Sequence, residues 1–260
     1  MDWRDCPVTY PIIDYDPDRR AIIEPEYNIK PMDVPQHCVI CFFREVIDRV
    51  VESRHAKCVY RMHSENGEHP LYEIDHQGQR LAFFYPSVGA PLAAGLMEET
   101  IALGVKYFIG CGGCGVLDEQ VAVGHLLVPY AAVRAEGTSY HYLPPSEEVE
   151  TDEKALAAIE TTLKDHQVPY ELTKTWTTDG FYRETPVKLA KYRAAGCLAV
   201  EMEAAAFMAV AKFRGVDFGQ ILYGGDLVKV DAWDHRGWNN RGDIRERLFW
   251  LAAEACLKLN

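Results

Sequence analysis

The stretch Ala199-Val-Glu-Met-Glu-Ala-Ala-Ala-Phe207 decides the reading of this chain. A short apolar run, 197–200, feeds two carboxylates that bracket a methionine, and a small-residue helical segment follows to about residue 214. That order reads as a strand-to-helix junction. Two acids so close together are costly to bury without partners. Glu201 and Glu203 therefore belong on a solvated helix N-terminus, where the helix dipole favours negative charge, or in a polar site.

Outward from that junction, short β-branched or aromatic runs bounded by turn residues predict strands at 8–13, 37–43, 57–63, 71–75, 80–85, 105–109, 125–133, 168–176 and 216–223. Helices are expected at 45–54, 92–103, 152–165, 186–195 and 243–259. Strand, helix and strand joined by short loops around 80–109 imply a sheet with parallel strands and an α/β fold. No internal repeat or linker divides the chain, so a single domain over 1–260 is expected.

The chain has 260 residues, 25% charged and 48% hydrophobic, with a formal charge of −12. That charge argues against sequence-independent nucleic-acid binding, which needs a basic face. It leaves room for a small anion held by local arginines. No apolar run approaches the roughly 18 residues that span a bilayer, and the N-terminus lacks a signal pattern, so no membrane partner and a cytoplasmic location are expected. Cys38/Cys41 and Cys111/Cys114 have CxxC spacing, but the first pair lies in an apolar strand-like run and the second in a glycine run. Buried thiols are expected there rather than a metal site.

In open α/β sheets, ligands gather beyond the carboxyl ends of strands. Four such places carry polar or glycine-rich sequence: 14–20 with Arg19, 110–115 with Gly112 and Gly113, Glu201–Glu203, and 224–226 with Asp226. Phe181 and Tyr182 add an aromatic wall, and Arg44 sits at a strand end. The segment 231–240, with Trp233 and Trp238, reads as a lid or a subunit contact. The set suits a small polar ligand with a flat ring, an anionic group and hydroxyls.

Val200-Glu-Met-Glu-Ala-Ala205 matches, letter for letter, a signature of the nucleoside phosphorylase-I family, which this chain resembles over roughly residues 8–259. Asp16-Pro-Asp-Arg19 resembles the family's G-D-P-x-R loop, and Thr178-Asp-Gly-Phe-Tyr182 its T-D-x-F-Y loop. Gly89-Ala-Pro91 and Gly112-Gly-Cys-Gly115 resemble its two glycine turns. The resemblance implies a central mixed twisted sheet, partly closed and flanked by helices. It also implies cleavage of a nucleoside N-glycosidic bond, with phosphate as co-substrate, no other cofactor, no metal, and a homo-oligomer such as a dimer or hexamer.

By the same resemblance, Glu203 and Met202 would hold ribose, with Glu201 a further ribose or structural contact. Phe181 and Tyr182 would face the base. Asp226 would protonate or hydrogen-bond a departing purine, which improves the leaving group. Arg19, Gly112 and Gly113 would bind phosphate, and Arg44 would be donated by a neighbouring subunit. The chain departs from the phosphorylase pattern at Gly110, where an arginine is expected, at Gly113, where a hydroxyl is expected, and at Tyr15, in place of a glycine. Thr185 and Val187 stand where uracil-reading Gln and Arg would be. Phosphorolysis of a purine nucleoside is the expected activity. Phosphate-independent hydrolysis and non-catalytic nucleoside binding are the alternatives.

Overall fold

The computed structural model describes residues 10–260, so Val8 and Thr9 of the expected first strand lie outside the described residues. The rest of that stretch is not extended: Pro11–Ile13 form one 3-10 turn, consistent with the fixed φ of a leading proline. The chain then runs β1 (His37–Cys41), α1 (Arg44–Ser53), β2 (Lys57–Ser64), β3 (Gly67–His76), β4 (Gln79–Phe84), α2 (Ala90–Leu103), β5 (Tyr107–Val116) and β6 (Leu126–Ala135). It continues through β7 (Glu148–Glu150), α3 (Glu153–Asp165), β8 (Tyr170–Thr178), α4 (Pro186–Ala194), β9 (Cys197–Glu201), α5 (Ala204–Arg214), β10 (Asp217–Val228), β11 (Trp233–Asp234) and α6 (Gly242–Cys256). The expected helices fall where the pattern put them. Asp152 caps α3 by accepting the N–H groups of Lys154 and Ala155, as a helix N-cap should.

One mixed sheet holds all the strands. β5 pairs in parallel with β1 and β10, β10 antiparallel with β6, β6 in parallel with β8, β8 in parallel with β9, and β9 returns antiparallel to β5. Those five strands, β5, β10, β6, β8 and β9, thus close on themselves, while β1, β4, β3 and β2 extend from β5 as an open wing. Side chains alternate across β1 as strand geometry requires. Cys38 and Ile40 join the core formed with α2 and α5, whereas Val39 and Cys41 join the core formed with α1, α3 and α6. Positions i and i+3 of a strand face opposite sides. That geometry separates the cysteines of each CxxC pair along β1 and β5, and no group of three metal-ligating side chains occurs among the described residues.

Two glycine stretches read as loops are strand instead. Gly110 to Gly115 lie within β5, and Gly224 to Asp226 within β10. The glycines are there because neighbouring side chains press onto the backbone. A Cβ on Gly115 would stand 2.9 Å from Val200, one on Gly112 3.1 Å from Phe42, and one on Gly113 3.1 Å from Tyr223. No helix among the described residues is long and apolar enough to cross a membrane.

α5 is buried from Ala204 through Ala211 on every side, which its alanine-rich sequence permits. Its exit is fixed by Gly215 in the left-handed region. Arg214 at that end donates to Glu98 of α2 at 2.6 Å and to Glu24 at 3.2 Å, all three being largely buried. Truncating Arg214 would leave Glu98 buried without its counter-charge. Arg214→Ala is expected to lose about 3 kcal/mol of stability in urea unfolding, and an unchanged midpoint would refute the clamp.

Candidate active site

The cleft is built where β9 ends and α5 begins. Glu201, the last residue of β9, is buried yet fully bonded. Its Oε1 accepts from Thr177 at 2.7 Å and Thr175 at 3.2 Å, both on β8. Its Oε2 accepts the N–H groups of Glu203 and Ala204, each at 2.7 Å. The helix-cap reading of the acidic pair therefore applies to Glu201, which closes the N-terminus of α5 from the preceding strand. Burial still pushes its carboxyl up, against those bonds, which pull it down.

Glu203 is placed differently. One oxygen accepts the Gly89 N–H at 2.6 Å, and the carboxyl faces the cleft. Gly89 has φ +104°, a conformation glycine adopts without strain, and it precedes the first turn of α2. The glycine turn and the acid signature, 114 residues apart in sequence, thus meet directly. Burial, and next the charge of Glu201, push Glu203 up to about 8.

Two adjoining compartments make the cleft. The larger, about 690 Å³, is lined by Phe181, Tyr182, Glu184, Asp226, Trp233 and Trp238 among others. The smaller, about 290 Å³, is lined by Phe42, Phe43, Gly112, Glu203, Gln220 and Arg245 among others. Met202, Gly113, Glu201 and Trp238 border both. Segment 231–240 folds back over this opening: β11 pairs with the end of β10, the Trp233 indole N–H donates to Asp226 Oδ2 at 2.7 Å, and the Trp238 carbonyl accepts from Tyr223 at 2.8 Å. It forms a roof of the cleft.

The structure brings together Glu201, Met202, Glu203, Phe181, Tyr182, Asp226, Gly112 and Gly113. It does not bring Arg19. Asp16 and Asp18 close tight turns on the N–H groups of Asp18 and Arg20, and Arg19 donates to the Phe213 carbonyl and lies 4.7 Å over the Phe213 ring. That is the far end of α5, whose 11 residues put it ~16 Å from Glu203 at 1.5 Å per residue. The loop that borders Gly112 is the β1–α1 turn, Phe42 and Phe43, because β1 lies beside β5 in the sheet. Arg44 opens α1 from that turn with its side chain 64% exposed, pairs with Asp48 at 3.4 Å, and does not line the cleft of its own chain.

Three lining residues carried no sequence signal. Glu184 lies in the turn between Phe181–Arg183 and α4, and lines the larger compartment. Burial, and next the charge of Asp226, push it up to about 7. Gln220 comes from mid-β10, four residues before Gly224, and Arg245 from α6. Only the closure of the sheet and the docking of α6 deliver them.

The family model of the phosphorylase superfamily matches residues 36–247, and the chain belongs to that superfamily. A guanosine phosphorylase of Halorubrum lacusprofundi is 29% identical over 71% of this chain and 76% of its own. Among solved structures, uridine phosphorylase from Vibrio fischeri ES114 superposes with a TM-score of 0.73 at 22% identity, covering 88% of this chain and 95% of that one. AMP nucleosidase from Bacteroides thetaiotaomicron superposes with a TM-score of 0.69 at 22% identity, covering 86% and 87%. These two likenesses are of fold.

The raised Glu203 carboxyl has a consequence for stability. Between its ordinary value of 4.5 and about 8, the folded protein keeps a proton that the unfolded chain has released. This group therefore makes stability fall as pH rises through that window and level off above about 8. Glu203→Gln, which cannot ionise, is expected to have a flatter melting temperature between pH 5 and 8 than the wild type. Parallel curves would refute the assignment.

Proposed function

We propose that this chain cleaves the N-glycosidic bond of a purine nucleoside, with phosphate as the attacking group. The observation that carries the reading is the bipartite cleft, with Met202 at the junction of its two compartments. An aromatic compartment of about 690 Å³ suits a base, and the smaller one, which carries Glu203, Gln220 and Arg245 among apolar walls, suits ribose and its nucleophile. Met202 packs on the sugar, and Glu203 accepts from its hydroxyls. The positive charge that develops on ribose as the bond to the base lengthens favours the ionised form of Glu203, and that carboxylate stabilises it in turn. Phosphate oxygen bonds to C1′, the C1′–N pair leaves with the base, and Asp226 accepts a hydrogen bond from the departing base, which takes up its proton from water.

Glu184 refines the base class. Above about pH 7 its carboxylate offers two acceptors in the larger compartment. Acceptors match the adjacent ring N–H and exocyclic amine of a guanine-type base, and disfavour the ring acceptor of adenine. The similarity to a guanosine phosphorylase supports the same choice. A hydrolytic reading is favoured by one observation, that Phe42 covers the glycine strand where an anion loop was expected.

A nucleoside panel assayed with and without phosphate tests the reaction. Phosphate-dependent release of guanine or hypoxanthine is expected. Release independent of phosphate would replace phosphorolysis by hydrolysis, and no release from any nucleoside would overturn the reading. Glu184→Gln is expected to raise KM for guanosine about tenfold, one lost charge-assisted bond, and to remove the fall in wild-type KM as pH rises through about 7. An unchanged guanosine KM at pH 8 would remove Glu184 from base recognition.

A further inference from the structure

Two polar side chains lining the smaller compartment each keep a hydrogen-bonding atom without a partner among the described residues. Gln220 is 1% exposed, yet its Oε1 has no hydrogen-bond partner among the described residues. A buried amide oxygen left unpaired costs on the order of 1–3 kcal/mol, and Gln220 borders the smaller compartment, so a rotation of its amide that brings the oxygen to a ligand there would be favoured. Arg245 is 8% exposed and lines the same compartment. Its Nε donates to Tyr223 at 3.1 Å and its Nη1 to Glu45 at 2.7 Å, while none of its bonds among the described residues uses Nη2. Phe43 and Trp238 flank the guanidinium at 5.0 and 5.4 Å, which fixes its plane and lowers the local dielectric.

Gln220 fills the space beside Gly110. Gly110 pairs with Gln220 across β5 and β10, and a Cβ on Gly110 would lie 3.3 Å from the Gln220 Cγ. A side chain at position 110 and the present rotamer of Gln220 compete for one volume. The glycine and the glutamine are one substitution in physical terms.

Resting on the phosphorolytic reading, we infer that Gln220 and Arg245 form the seat of the attacking group, and that this seat selects a protonated oxyanion, hydrogen phosphate. Arg245 Nη2 donates to a charged phosphate oxygen. Gln220 Oε1 accepts the P–O–H proton, which both neutral-pH forms of phosphate carry and sulfate lacks. The acceptor that would repel a bare anion thus becomes the selective contact, and specificity comes from leaving a buried polar atom unpaired with the wrong ligand. Glu203 adds no full negative charge below about pH 8.

Titration calorimetry of inorganic phosphate and of sulfate, with no nucleoside present, tests the seat directly. Wild-type protein at pH 7 is expected to bind phosphate at least tenfold more tightly than sulfate. Gln220→Leu is expected to lose that preference, and Arg245→Lys to weaken both anions about tenfold while keeping the preference. In turnover, Gln220→Leu is expected to raise KM for phosphate with KM for the nucleoside unchanged. Equal binding of both anions, binding of neither, or an unaltered phosphate preference in Gln220→Leu would overturn the inference. Circular dichroism and the nucleoside KM separate misfolding from loss of the seat. Phosphate binding without cleavage of any nucleoside would leave the seat standing and remove the reaction, whereas cleavage that needs no phosphate would overturn both phosphorolysis and the seat's role in attack.

Discussion

The carboxylate of Glu201 is the contact on which the site depends. It ties two hydroxyls of β8 to the first N–H groups of α5, and so fixes the angle at which the strand becomes a helix. A buried anion is tolerated there because its bonds come from all around it and because a helix N-terminus is electropositive. Thr177 extends the link by accepting the Ala205 N–H at 3.0 Å. With Glu201 consumed in this way, Met202 and Glu203 are presented to the cleft from a rigid corner. The two acids of the signature divide the work: one builds the corner and the other faces the ligand.

Close approach of backbone to side chain is the second constraint. The glycines of β5 exist because the strand ring brings Tyr223 and Val200, and the turn after neighbouring β1 brings Phe42, within van der Waals distance of the backbone. The floor of the cleft is therefore strand, and its polar groups come from other places. Arg245 arrives on α6 and Gln220 on β10, while the chain from Asp14 to Glu24 is committed elsewhere, clamping the far end of α5 through Arg19 and the Glu24–Arg214 pair.

Two pairs of neighbouring carboxyls set the electrostatics of the cleft. Glu203 is raised mainly by burial and then by Glu201, and Glu184 mainly by burial and then by Asp226. In the first pair Glu201 has both oxygens engaged by the protein while Glu203 faces the cleft; in the second Asp226 accepts from Trp233 through one oxygen, and both acids line the larger compartment. Such pairing holds one carboxyl of each pair near neutrality.

The sequence by itself determined the elements and the corner. Apolar runs, the Asp152 cap and the turn glycines placed nearly every helix and strand. Val200-Glu-Met-Glu-Ala-Ala205 was legible because its function is local, a strand end meeting a helix start. Arg19 misled because a short charged motif, Asp16-Pro-Asp-Arg19, carries no information about where its chain is led, and here it is led to Phe213. The glycine run 110–115 misled because glycine marks loops and crowded strands alike, and only the neighbours distinguish them. Glu184, Gln220 and Arg245 were illegible for the same reason: their environments are made by residues distant in the chain. Tertiary structure alone decided which oxygen atoms were satisfied and which were left facing the cleft, because hydrogen-bond partners are set by the closure of the sheet and not by neighbours in sequence.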